Sequence, residues 1–203
     1  MLNGLKNIYT FYVERYKKRF LYCFGIYFLL VIIGGLIGVL NPNLAIEIKT
    51  MIGSQFVSSM PGLFQAIGAG KVLTIILTIF GINSILGTFF YITIPNILGL
   101  GTLIFIYRPL LWGLIYAPVS PQDTMLLLIA IPTLLLEGTA YVIAFVSSID
   151  LVLALVKPEK LGEESRLKAL KRAWIYTLKS YVLVLIVLFI AAVVETITII
   201  YAV

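Results

Sequence analysis

The chain has 203 residues, of which 61% are hydrophobic and 12% charged, with a formal net charge of +6. A water-soluble domain of this length needs more polar residues to cover its surface, so this composition, with a mean hydropathy of +1.09, points to a lipid bilayer and excludes a soluble globular class. The absence of histidine and the single cysteine, Cys23, exclude imidazole catalysis, an intrachain disulfide and a cysteine-based zinc site.

Residues 1–19 form an aromatic and basic lead-in. Leu2, Leu5, Tyr9, Tyr12 and Tyr16 recur at helical spacing, while Lys6, Arg15, Lys17, Lys18 and Arg19 supply charge. This pattern predicts a short amphipathic helix in the headgroup layer. The first membrane span follows at 20–40. It is too long for the apolar core of a signal peptide and no small-residue cleavage pattern precedes Asn41, so a retained helix is expected. Cys23 near its start reads either as a small core residue or as a palmitoylation site. Gly34 and Gly38 make a small-xxx-small pair that admits a close helix neighbour and permits a homo-oligomer.

The region 41–70 carries only Glu47 and Lys49 as charges and is punctuated by glycines and Pro61. Short extracytoplasmic helices are predicted, lying on the membrane or packed over the bundle. A second span covers 72–91, with Asn83 near its middle; a buried amide needs partners, so Asn83 is expected to face the bundle. The third span, 97–117, contains Arg108 and Pro109. Proline removes a backbone hydrogen bond and crowds the preceding turn, predicting a kink or break over 105–109. Arg108 beside it is expected to be paired or to face water, because an arginine at helix centre costs about 2.5–3.5 kcal/mol on insertion scales.

A turn at 118–123 leads to a fourth span, 124–149, with Pro132 as a second helix-perturbing residue and Glu137 one turn beyond. Residues 150–179 hold most of the remaining charge. Within them Leu167, Leu170, Trp174 and Leu178 trace one helical face, with Arg166, Lys168, Lys171 and Arg172 largely off it. A basic cytoplasmic loop with an amphipathic helix is predicted. The fifth span, 180–203, contains Glu195.

The expected fold is therefore all-α: a single polytopic membrane bundle of about five transmembrane helices, with a kinked third helix and cytoplasmic amphipathic elements. Lys and Arg concentrate in 1–19 and 150–179, and five spans put both regions on one side. By the positive-inside bias, the N-terminus is cytoplasmic and the C-terminus extracytoplasmic in the cell membrane. Such an excess of positive charge suits anionic lipid headgroups better than nucleic acid. Counted from the outer span ends, Glu195 lies at about 12 Å, Arg108 at about 14 Å, Asn83 at about 18 Å and Glu137 at about 20 Å. These depths allow Arg108 to pair with Glu137 or with Glu195 in an intramembrane polar network. That network serves either to fix helix register or as a site for an ion, a proton or a small polar solute.

The order of these features resembles the stage II sporulation protein M family of integral membrane proteins. The resemblance rests on Asn83-Ser84 in the second span, Arg108-Pro109 with Gly113 in the third, and Pro132 with Glu137 in the fourth. The family's Asn-Asn pair, Asn-Gly-x-x-x-Gly element and Pro-His-Gly-x-x-Glu element are each altered here, as in a divergent relative. The resemblance implies a membrane anchor for partner proteins. With no catalytic constellation, cofactor motif or metal-ligand set in the sequence, a non-enzymatic scaffold is the first expectation. A small oligomeric transporter or channel using Asn83, Arg108 and Glu137 is the second.

Overall fold

The computed structural model describes the backbone of residues 2–202 and the side chains of 3–200, so the side chain of Leu2 and the end of the fifth span at Val203 lie outside the described residues. The described chain is helical with no strand, and four of its helices are long and apolar enough to cross a membrane.

Helix α1 spans Leu2–Leu40 without interruption. The lead-in is therefore not a separate surface helix: no proline lies between Gly4 and Asn41, so the helix continues straight into the span. Of its aromatic residues, Tyr12 and Tyr16 are buried in the main apolar core, whereas Tyr9 is exposed. Asn41 ends the helix because a residue preceding proline avoids helical backbone, and Pro42 then occupies the first turn of α2, Pro42–Ser59. The same device at Pro61 separates α3, Pro61–Gly68. The region 41–70 is thus two short helices, as its punctuation predicts.

Gly70, at φ 62°, turns the chain into α4, Val72–Gly81. The helix then widens into a π-helix, Ile82–Thr93, which the sequence pattern does not announce. A short 3₁₀ turn, Pro95–Leu98, and Gly99 at φ 79° lead into α5, Gly101–Ile115. This helix has 15 residues and runs continuously through Pro109. Helix α6, Pro121–Val156, has proline in its first turn and a cap in which the Ser120 hydroxyl accepts the Asp123 amide at 3.1 Å. A 3₁₀ turn at Pro158–Leu161 precedes α7, Arg166–Ala202. The amphipathic segment and the fifth span are accordingly one helix rather than a loop followed by a span, because no breaker separates Arg166 from Ala202.

Contacts between distant residues fix how these helices align. At one end of the bundle Asp150 of α6 meets Arg15 and Arg19 of α1, each at 2.7 Å. There too the Asn96 amide donates to Ser148 Oγ at 2.8 Å, and Thr177 Oγ1 of α7 donates to the Ser147 carbonyl at 3.1 Å. At the other end Lys49 Nζ of α2 reaches Asp123 at 2.6 Å and the Ala117 carbonyl at 2.9 Å. Helices α1, α5 and α7 therefore run in one direction, and the α4–π segment and α6 in the other.

Glycine sets the closest of these contacts. A methyl group at Gly34 of α1 would run into the Leu110 carbonyl of α5, and one at Gly113 of α5 into the Val31 carbonyl of α1. The Gly34 and Gly38 face is thus occupied within the chain by α5, with Gly38 against Ala117.

Candidate functional site

The charged and amide groups expected inside the membrane converge at mid-bundle. Glu137 lies 13 residues before Asp150 and 14 after Asp123 on the same helix, about 20 Å from each end marker. Its side chain is 1% exposed. The neighbouring helices bring Asn83 from the π-helix, Arg108 from α5 and Glu195 from α7 to the same level.

The residue that ties them together is Tyr141, one turn beyond Glu137 on α6 and fully buried. Arg108 Nη2 donates to the Tyr141 hydroxyl at 2.6 Å. That hydroxyl lies 2.7 Å from Asn83 Oδ1 and 3.1 Å from Glu137 Oε2, and its single proton is shared between them. The Asn83 amide nitrogen donates to Glu137 Oε1 at 2.6 Å. Arg108 also donates from Nη1 to the Gly87 carbonyl at 3.0 Å, and Nη2 makes a long 3.5 Å contact with Asn83 Oδ1. The guanidinium stacks over the Tyr141 ring at 3.8 Å and approaches Trp112 at 5.8 Å, which screens its charge with π-faces.

Arg108 and Glu137 do not form a direct ion pair within 4.0 Å. The direct pairing that depth alone favours is replaced by bridges through Tyr141 and Asn83. Glu195 approaches from α7 as a neighbour of the Glu137 carboxyl and forms no ion pair with Arg108 within 4.0 Å. Glu137 is thus contacted by Asn83, Tyr141 and Glu195 together. Asn83, Arg108 and Glu195 are half-buried, so the network is covered most completely at Glu137.

Backbone geometry contributes as well. The wider π-helix around Ile82–Thr93 carries both Asn83 and the Gly87 carbonyl, and a methyl group at Gly87 would sit 3.0 Å from Arg108 Nη1. π-Segments are uncommon and often sit beside functional positions. Pro109 and Pro132 stay inside their helices, Pro109 buried directly beside Arg108. Thr133, one turn before Glu137, has a buried hydroxyl oxygen with no protein partner.

A second charged cluster escaped the sequence reading. Asp150, 0% exposed, accepts from Arg15 Nε at 3.0 Å, Arg15 Nη2 at 2.7 Å, Tyr16 Oη at 2.8 Å and Arg19 Nη1 at 2.7 Å. Arg15 stacks on Tyr176 of α7 at 4.1 Å, so the cluster joins three helices. The available signal was the i, i+4 spacing of Arg15 and Arg19, which places both on one helical face.

Among the described residues no group of three or more His, Cys, Asp or Glu side chains converges to hold a metal ion. No family model, no curated protein and no solved structure matches this chain.

Proposed function

We propose that this chain is a non-enzymatic, five-pass membrane scaffold whose central polar network locks the register of its helices. The observation that carries the reading is the closure of that network: the π-helix, α5 and α6 meet at Tyr141 and Glu137, where Asn83, Arg108 and Glu137 are each hydrogen-bonded across helices. A satisfied network of this kind specifies one packing arrangement, the best-attested use of buried polar groups. The resemblance of the sequence to the stage II sporulation protein M family supports an anchoring role.

The pass added to the four long apolar helices is α5, the third in chain order. It is short for a span, about 22 Å at helical rise, yet it starts beside Asn96 at the Asp150 end and leads to Ala117 at the Lys49 end. Five passes put the basic regions 1–19 and 150–179 at one end, and the positive-inside bias makes that end cytoplasmic. Anionic headgroups and membrane protein partners are the partners this reading requires.

The test is affinity purification of the tagged protein from its own cells in native nanodiscs, with companions identified by mass spectrometry. The scaffold reading expects a stoichiometric protein companion; a chain recovered alone or only with itself contradicts it.

The Glu137–Glu195 contact favours a second reading, in which an oligomer of this chain moves a proton or cation across the membrane. Here Glu137 is the exchanging group and Arg108 its counter-charge. Purified protein in vesicles should then conduct protons or a monovalent cation, and Glu137→Gln should abolish the flux. Wild-type flux in that variant, or none in either, removes this reading.

A further inference from the structure

The first turns of α7 extend beyond the membrane core and carry a surface that the central network does not use. Helix α7 has 37 residues, about 55 Å at helical rise against roughly 30 Å of hydrocarbon. Thr177 is level with Ser147, and Ala169 and Ala173 pack against Leu151, Ala154 and Leu161. The segment from Trp174 to Leu167 therefore runs from the level of the Arg15–Asp150 clamp to about two turns outside it, at the end where the basic regions gather.

On this segment a shallow groove of about 440 Å³ is lined by Leu167, Lys168, Leu170, Lys171 and Trp174. Leu167 is 77% exposed, although it sits among lysines at the polar border of the bundle. Leu170 and Trp174 are half-buried against the local core and form the floor, while Lys168 and Lys171 stand exposed at the rim. A second shallow depression is bordered by the same two lysines together with Arg172 and Glu163, which pair with each other at 2.8 Å. Two lysines over an apolar, tryptophan-floored groove at headgroup level match one chemistry: a phosphate above and an acyl chain below.

We propose that this groove is a binding site for an anionic phospholipid of the cytoplasmic leaflet. The lipid phosphate lies between Lys168 and Lys171, and its upper acyl chain covers Leu167, Leu170 and Trp174. The charge match and the depth favour lipid over an acidic helix of a soluble partner. The site is separate from the Glu137 network, and its test does not depend on which reading of that network holds.

Trp174 reports the site directly. In a Trp112→Phe background it is the only tryptophan in the chain. The protein is placed in phosphatidylcholine vesicles with a minor fraction of brominated phosphatidylglycerol or, separately, brominated phosphatidylcholine, and quenching of Trp174 fluorescence is measured. The site predicts an apparent preference for the brominated anionic lipid on the order of tenfold. That preference should disappear in Lys168→Gln/Lys171→Gln and survive in Lys17→Gln/Lys18→Gln, which removes equal charge from the same end. Equal quenching by both lipids overturns the proposal, as does a preference lost equally in both double variants. Trp174 shielded from both lipids by a co-purified protein overturns it as well. Unchanged elution and circular dichroism keep misfolding out of the comparison.

Discussion

Arg108 and Glu137 meet through Tyr141: the hydroxyl accepts from the guanidinium at 2.6 Å and lies 3.1 Å from the carboxylate. Tyr141→Phe keeps the ring under the guanidinium and removes only this bridge. Arg108 Nη2 is then left with the 3.5 Å contact to Asn83. A buried charged donor losing its partner costs about 1–3 kcal/mol. In detergent, thermal unfolding of Tyr141→Phe should begin roughly 2–10 °C lower than in the wild type; an unchanged midpoint would show that the bridge carries no stability.

The α1–α5 contact tolerates no side chain at its centre. Gly34→Ala places a methyl group against the Leu110 backbone and Gly113→Ala one against the Val31 backbone, so the helices must separate. Each change should destabilise by roughly 1–3 kcal/mol. Gly53→Ala in α2 meets nothing within 4 Å and should be neutral or stabilise by about 0.5–1 kcal/mol through helix propensity. Measuring the three by thermal or chemical unfolding checks the contact, and the first two behaving like the third would refute it.

Asp150 holds two guanidinium groups with no exposure of its own side chain. Asp150→Asn removes the charge that both arginines face. Loss of one partner in a buried ion pair costs about 3–5 kcal/mol, and the partial exposure of Arg15 and Arg19 brings the expectation to roughly 2–4 kcal/mol. The midpoint of unfolding reads this out. A companion change of Arg15→Met and Arg19→Met should recover part of the loss, whereas no recovery would mean that Asp150 acts through other contacts.

The proposed passage of α5 across the membrane decides which ends share a compartment. In a Cys23→Ser background, Lys17→Cys and Lys160→Cys are exposed positions at the basic end, and Ser58→Cys is an exposed position on α2. A membrane-impermeant maleimide should label Ser58→Cys in intact cells and the other two only after permeabilisation. Opposite labelling of Lys17→Cys and Lys160→Cys would mean an odd number of crossings between them and reject the five-pass arrangement.

The hydrophobic runs and the depths of Asn83, Arg108, Glu137 and Glu195 were legible because each charge in hydrocarbon stands out against its surroundings. Helical rise then places them at similar levels. Tyr141 was not legible: a tyrosine in an apolar run reads as core, and only its position four residues after Glu137 marks it as able to share a face. The π-helix had no signal: the run Ile82–Thr93 has the apolar composition of an ordinary helix. The charge of the lead-in and of the basic segment of α7 suggests a boundary and hence separate surface elements. The structure continues both as helix, since amphipathic patterning marks which face is wet and a helix ends only where a breaker such as Asn41-Pro42 stops it.

The central claim is that the network ties helices together rather than performing chemistry. Replacing Arg108 by Met and Glu137 by Leu in one protein removes both charges at nearly constant volume, so that neither is left as an uncompensated buried charge opposite the other. The most direct measurement is affinity purification of this double variant from its own cells beside the wild type, with circular dichroism to establish folding. The account predicts a folded protein that captures the same companions in the same amounts. A folded double variant that has lost them would contradict it and assign the network a role beyond packing.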